Sequence, residues 1–236
     1  MKKFKFILFL FLSILFSCTS VSQEKKEVQV VLLAGQSNMA GAGNYDDLDE
    51  SIKRRIEKVS NRVFISQSNS LQKPLSWYKN KPSKKYQFTK RFGPELMIGL
   101  TLAEKYPKKE FLLIKYAKGG TALYGAWNPN WTLEKAKEVE KGVKKQSWNL
   151  VQQHFDLIHK NLEILKEKGK SYKIIGMTWM QGENDAVLDK AANSYADNLE
   201  ILIKKYRTAF KVKKMPFVFG QINSRYGIKN GAKIVI

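Results

Sequence analysis

The chain is short of the residues that most often announce chemistry. One cysteine, Cys18, in 236 residues excludes an internal disulfide framework and any multi-cysteine metal site. Histidine is nearly as scarce, with only His154 and His159. Six prolines and fifteen glycines, beside 43% hydrophobic and 27% charged residues, exclude collagen-like, low-complexity and wholly disordered chains. Acidic residues are few, 21 against 42 Lys+Arg, leaving a net charge of +21. No apolar run is long enough to span a bilayer; the longest, residues 6–16, is broken by Ser13. The length suits one α/β domain with a sizeable core, and not two.

The first of the positive features is the N-terminus. Lys2, Lys3 and Lys5 precede the apolar run, which ends Leu15-Phe16-Ser17-Cys18 before turning polar. Residues 1–17 read as a signal peptide, and the leucine three places before the cysteine resembles a bacterial lipoprotein signal. That resemblance makes Cys18 the lipid attachment point and 18–27 a polar tether, and places the protein in the cell envelope, anchored to a membrane. An ordinary secretory signal with an incidental cysteine is the alternative. Cleavage would remove three lysines and no acid, lowering +21 to +18. The basic runs 79–91 and 204–214 contain no acidic residue and no nucleic-acid-binding motif. They read as a lysine-rich solvated surface, and nucleic acid is not an expected partner.

From Val28 onward, short apolar runs at 28–34, 62–65, 111–116, 173–180 and 216–220 have the continuity of strands buried on both faces. Helical patterns separate them. Residues 94–106 begin with proline, a favoured first-turn residue. Trp148, Val151, Phe155, Ile158, Leu162 and Leu165 mark an amphipathic helix, and a third helix is expected over 188–210. Alternation of this kind predicts a parallel sheet flanked by helices, with ligands beyond the carboxyl ends of the strands.

Three segments at those ends carry polar or small residues. The first strand runs into Gly35-Gln36-Ser37-Asn38-Met39-Ala40-Gly41, where Ser37 is placed as a nucleophile or as a helix cap. The third ends at Lys118-Gly119-Gly120-Thr121, where paired glycines let backbone N–H groups reach an oxyanion or simply make a turn. The fourth ends at Gln181-Gly182-Glu183-Asn184-Asp185, whose amides can donate hydrogen bonds or cap the next helix. Trp127 and Trp131 fit equally a sugar-stacking wall and the core.

These segments resemble the SGNH hydrolases and, within them, the sialate O-acetylesterase-like carbohydrate esterases of family 6. The resemblance rests on G-Q-S-N-M-A-G at 35–41, F-G-P-E at 92–95, G-G-T-x-L at 119–123 and W-x-Q-G-E-x-D-A at 179–186, in the family's order. It implies a flavodoxin-like three-layer α/β/α domain over 28–236 with a five-stranded parallel sheet. The implied reaction is removal of O-acetyl groups from sialic acids or from polysaccharides such as xylan, without metal or cofactor. Ser37 matches the nucleophile. The N–H groups of Ser37 and Gly119 and the amide of Gln181, or alternatively Asn184, match the oxyanion hole. Glu183 and Asp185 are expected to brace the loop.

The family also supplies an Asp-x-x-His block after the fifth strand. Beyond Gln221 the sequence offers Asn223 and Arg225 but no histidine or aspartate. Asp156-Leu157-Ile158-His159 spells the motif, but before the fourth strand and inside a helix, so both histidines read as ordinary helix residues. The domain is therefore expected to be C-terminally incomplete, or else a non-catalytic binder of acetylated glycans.

Overall fold

The computed structural model describes residues 27–68, 70–222 and 231–235. The signal-like segment, Cys18, Asn223 and Arg225 lie outside the described residues.

In chain order the elements are β1 (Val28–Gly35), α1 (Ser37–Ala40), β2 (Gly43–Asn44), α2 (Glu50–Val59), β3 (Val63–Gln67), β4 (Lys73–Pro74), β5 (Tyr78–Lys79), β6 (Lys90–Phe92), α3 (Pro94–Lys105), β7 (Glu110–Ala117), α4 (Leu133–Val139), α5 (Val143–Gln146), α6 (Leu150–Glu167), β8 (Tyr172–Met180), α7 (Asp189–Asn193), α8 (Tyr195–Ala209), β9 (Phe217–Phe219) and α9 (Gly231–Val235). Each of the five apolar runs contributes a strand. β1 is buried along its whole length because it has a helical layer on both sides. Val28, Val30, Leu32 and Ala34 pack with the apolar stripe of α6 and with Leu202 and Tyr206 of α8. Val31 and Leu33 face Ile56 of α2 and Leu96 and Leu100 of α3.

The main sheet runs β4-β3-β7-β1-β8-β9. Pairings from β3 through β9 are parallel, while β4 is antiparallel on β3, so the sheet is mixed and six-stranded rather than five-stranded. β4 is two residues long and ends in Pro74, which an edge position tolerates because no ladder N–H is needed there. Among the parallel strands the order is second, third, first, fourth, fifth, which differs from the second-first-third order of flavodoxin. β1 consequently lies between β7 and β8, and all three motif-bearing strand ends are neighbours. A second, small sheet, β2-β6-β5, stands beside them.

The helix expected over 188–210 is broken at Ser194, whose hydroxyl donates to the carbonyl of Lys190 at 2.8 Å and closes α7 before α8 begins. Among the described residues no helix is long and apolar enough to cross a membrane.

Candidate active site

The end of β1 is clamped from both sides. The Gln36 N–H donates to the carbonyl of Met180 at 3.0 Å, and the Lys118 N–H donates to that of Gly35 at 3.2 Å. A Cβ on Gly35 would lie 2.2 Å from the Met180 carbonyl oxygen, so only glycine lets β1 and β8 approach this closely. The chain then turns directly into α1, whose first residue is Ser37. Ser37 is exposed, and its hydroxyl caps no helix and bonds to none of the described residues. Gly119, just past β7, stands against it: a Cβ there would come 3.5 Å from Ser37 Cβ.

Glu183 reaches across from β8 to the residues either side of Ser37. Its carboxylate accepts hydrogen bonds from the side-chain amides of Gln36 and Asn38. Asp185 is fully buried and accepts from the N–H groups of Leu123 and Tyr124, both at 2.8 Å, and from Gln181 Nε2 at 2.6 Å. Burial pushes its pKa up to about 7, against the lowering effect of those donors.

Gln181 departs from its expected place as an oxyanion donor. It is buried, and its two amide hydrogens go to the Thr121 carbonyl at 3.0 Å and to Asp185. No N–H is left to reach the serine, because the buried Asp185 and the turn after β7 both need a donor. Asn184, the alternative amide, is half-buried and makes no side-chain hydrogen bond among the described residues.

Glu140 escaped the sequence reading. It is buried, and its Oε1 accepts from the N–H groups of Ala122 at 2.8 Å and Ala126 at 3.0 Å. Burial raises its pKa too. Two buried carboxylates thus hold four backbone donors of the turn that follows Gly119. No local pattern marks Glu140, one of three glutamates in a lysine-rich stretch. Trp127 is fully buried, edge-on to Trp179 at 5.3 Å, and belongs to the core.

On the β3 side of Ser37 lies a cleft of about 340 Å³ bordered by Ser37, Gly119, Tyr78, Arg91, Lys115 and Ser68. Its floor is an ion pair, Lys115 Nζ to Glu95 Oε2 at 2.5 Å, with both side chains buried. Lys115 Nζ also donates to the Ala40 carbonyl at 3.0 Å, which accepts Tyr78 Oη at 2.7 Å. Burial lowers the Lys115 pKa, opposed by Glu95, and raises that of Tyr78 to about 12. Glu95 belongs to the F-G-P-E segment, and its other oxygen accepts the Gly93 N–H at 2.9 Å.

Arg91 closes the cleft. Its Nε donates to the Gly41 carbonyl at 2.6 Å, Nη1 reaches Asn80 Oδ1 at 3.4 Å, and the guanidinium lies 4.8 Å from the Tyr86 ring centroid. It has no carboxylate partner among the described residues. Arg91 is therefore a cleft residue and not part of the solvated basic surface expected of the run 79–91.

Neither histidine borders the cleft. His154 is sealed in the core, Nδ1 2.7 Å from Tyr206 Oη and Nε2 3.3 Å from the Ile114 carbonyl, and burial lowers its pKa to about 4. His159, on α6 together with Asp156, lies against Phe210 at the end of α8.

Three solved structures share this fold. An Arabidopsis thaliana protein matches with a TM-score of 0.59 and 19% identity, over 89% of this chain and 79% of its own. A carbohydrate acetylesterase from Xanthomonas citri matches with a TM-score of 0.55 and 16% identity, over 88% of this chain and 45% of its own. NanS matches with a TM-score of 0.53 and 16% identity, over 83% of this chain and 68% of its own. No curated protein matches the chain in sequence. Residues 27–235 match the family described as SASA, carbohydrate esterase, sialic acid-specific acetylesterase, and the chain belongs to that family.

Proposed function

We propose that this domain is a serine esterase that removes O-acetyl groups from carbohydrates through an acyl-enzyme on Ser37. The observation that carries the reading is the free hydroxyl of Ser37 at the cleft mouth, beside the Cβ-less Gly119. Ser37 Oγ attacks the acetyl carbonyl carbon, and the carbonyl electrons move onto oxygen. The N–H groups of Ser37 and Gly119, with the side-chain amide of Asn184 in place of the engaged Gln181, receive that oxyanion. Collapse breaks the bond to the sugar oxygen, which leaves as the hydroxyl with the proton that Ser37 gave up. Water then attacks the acyl carbonyl, returns a proton to Ser37 Oγ and releases acetate. Glu183 and Asp185 act as braces, one holding Gln36 and Asn38, the other the turn after Gly119.

Arg91 supports an acidic sugar over a neutral one such as xylose, because a guanidinium fork without a carboxylate partner matches a sugar carboxylate. Cys18 as a lipid attachment point, with the protein held at a bacterial envelope membrane, completes the proposal. Loss of membrane association in Cys18→Ser tests that part.

The serine proton needs an acceptor, and neither His154 nor His159 borders the cleft. That observation favours a second reading, binding of acetylated glycans without turnover. Hydrolysis of p-nitrophenyl acetate decides between the two. The esterase reading expects turnover that disappears in Ser37→Ala; saturable binding of an acetylated sugar with no acetate release establishes the binder.

A further inference from the structure

The reaction cleft has a neighbour on the opposite face of the sheet. A groove of about 480 Å³ runs between α6 and the carboxyl ends of β3 and β7. It is bordered by Ser66, Ser68, Ser70, Tyr116, Gln153 and Asp156. Ser68 borders the reaction cleft as well, so the two depressions meet over that residue. The pleat explains the division: Gln67 and Ala117 border the reaction cleft, while Ser66 and Tyr116, one residue earlier on each strand, border the groove.

Three properties of the groove fit a sugar. Its base is polar and rigid: Asn161 Nδ2 donates to Ser66 Oγ at 2.9 Å, Ser66 Oγ donates to the Ser70 carbonyl at 2.9 Å, and Gln72 Nε2 donates to Asn161 Oδ1 at 3.1 Å. Packing alone would favour apolar residues in that place, since Ser66 and Asn161 are buried. Its wall combines an aromatic ring with aligned acceptors: Tyr116 Oη donates to Gln153 Oε1 at 2.6 Å, and Asp156 stands one turn further along α6. Its rim carries Leu71, 64% exposed, an apolar surface for a sugar face. Ser68 itself has φ 52°, a left-handed conformation that costs a non-glycine residue energy and that turns the chain between the two depressions.

We infer that this groove is a second sugar subsite, which holds the unit next to the one seated at Ser37, so that the domain takes oligosaccharides in preference to monosaccharides. The inference rests on the reading of the Ser37 cleft as a carbohydrate site. Gln153 and Asp156 accept hydrogen bonds from sugar hydroxyls, Ser68 exchanges them and Leu71 contacts the ring, while the buried Tyr116 holds Gln153 in place and Ser70, bonded to Gln67, fixes the turn.

Calorimetric titration of the full chain tests it without requiring turnover. The probes are N-acetylneuraminic acid against 3′-sialyllactose, and xylose against xylotetraose. In at least one pair the oligosaccharide is expected to bind about tenfold tighter, a difference of about 1.4 kcal/mol. Asp156→Ala, on the solvent side of α6, is expected to erase that gain and leave monosaccharide affinity and the melting temperature unchanged. Gln153→Leu is expected to erase it too, with a lower melting temperature because it leaves the buried Tyr116 hydroxyl without its acceptor. Equal affinities within both pairs, or a gain that survives both substitutions, overturn the subsite. Absence of binding by all four sugars overturns it too, while the role of Ser37 is judged separately by p-nitrophenyl acetate hydrolysis and the Ser37→Ala comparison.

Discussion

Gly119 stands against Ser37 so closely that a Cβ on the glycine would lie 3.5 Å from the Cβ of the serine. That spacing is ordinary contact for one methyl group and leaves no room for a branched side chain over the hydroxyl. Gly119→Ala is expected to retain most p-nitrophenyl acetate hydrolysis. Gly119→Val is expected to lose roughly 10²-fold in kcat, the scale of one lost oxyanion donor. Gly119 is exposed, so the melting temperature should hold in both. Full activity in Gly119→Val would remove this residue from the site.

Asp185 should make stability depend on pH in a particular direction. Its pKa is raised from 3.8 to about 7, chiefly by burial. Between those values the folded protein keeps a proton that the unfolded chain has released, so this residue's contribution falls as pH rises. Asp185→Asn removes the titration but points an amide at the Leu123 or Tyr124 N–H. It is expected to melt lower at acidic pH and to narrow its gap to the parent protein as pH approaches neutrality. Melting curves from pH 4 to 8 check this, and parallel profiles would contradict it.

The Lys115–Glu95 pair should behave as a unit. Removing either partner leaves a buried charge unmatched, at a cost of about 3–5 kcal/mol. Lys115→Met and Glu95→Gln are each expected to show that loss in urea denaturation. The double substitution is expected to lose much less than the two added together. Additive losses would mean that the pair is not coupled.

Arg91 is expected to separate sugar choice from chemistry. Arg91→Gln is expected to weaken hydrolysis of O-acetylated sialic acid at least tenfold through KM, because one charge-assisted hydrogen bond is worth about 1.5–3 kcal/mol. p-Nitrophenyl acetate, which has no carboxylate, should be turned over as before. Equal losses on both substrates would assign Arg91 to the scaffold.

Much of this architecture was legible in the residues. Strands buried on both faces must be apolar throughout, and each of the five such runs became one. The spacing of Val151, Phe155, Ile158, Leu162 and Leu165 was enough to place α6 against the sheet. Strand order was not legible, because the apolar run of β1 reads the same beside β3 as beside β8. Lys115 did leave a trace, a charge inside the run 111–116, but its partner lies twenty residues earlier on α3. In the site, Gln181 and Asn184 were equivalent as amides on paper. What distinguishes them is Asp185, which is buried in the fold and takes one of them as a donor. Arg91 was hidden in a lysine-rich run because local charge says nothing of which cation a hairpin turns inward.

The strand order has a consequence for how such a domain diversifies. Ser37, Gly119 and the Glu183–Asp185 braces hang from three adjacent central strands, where a change in one backbone disturbs the others. Tyr78 and Arg91 arrive from the small sheet, and Ser68 from a turn at the periphery. If the site works as proposed, acyl chemistry rests on the central strands and sugar recognition on peripheral segments with more freedom to vary. Under the proposed reading, a change in the small-sheet hairpin or the Ser68 turn alters the glycan recognised and leaves the setting of Ser37 intact.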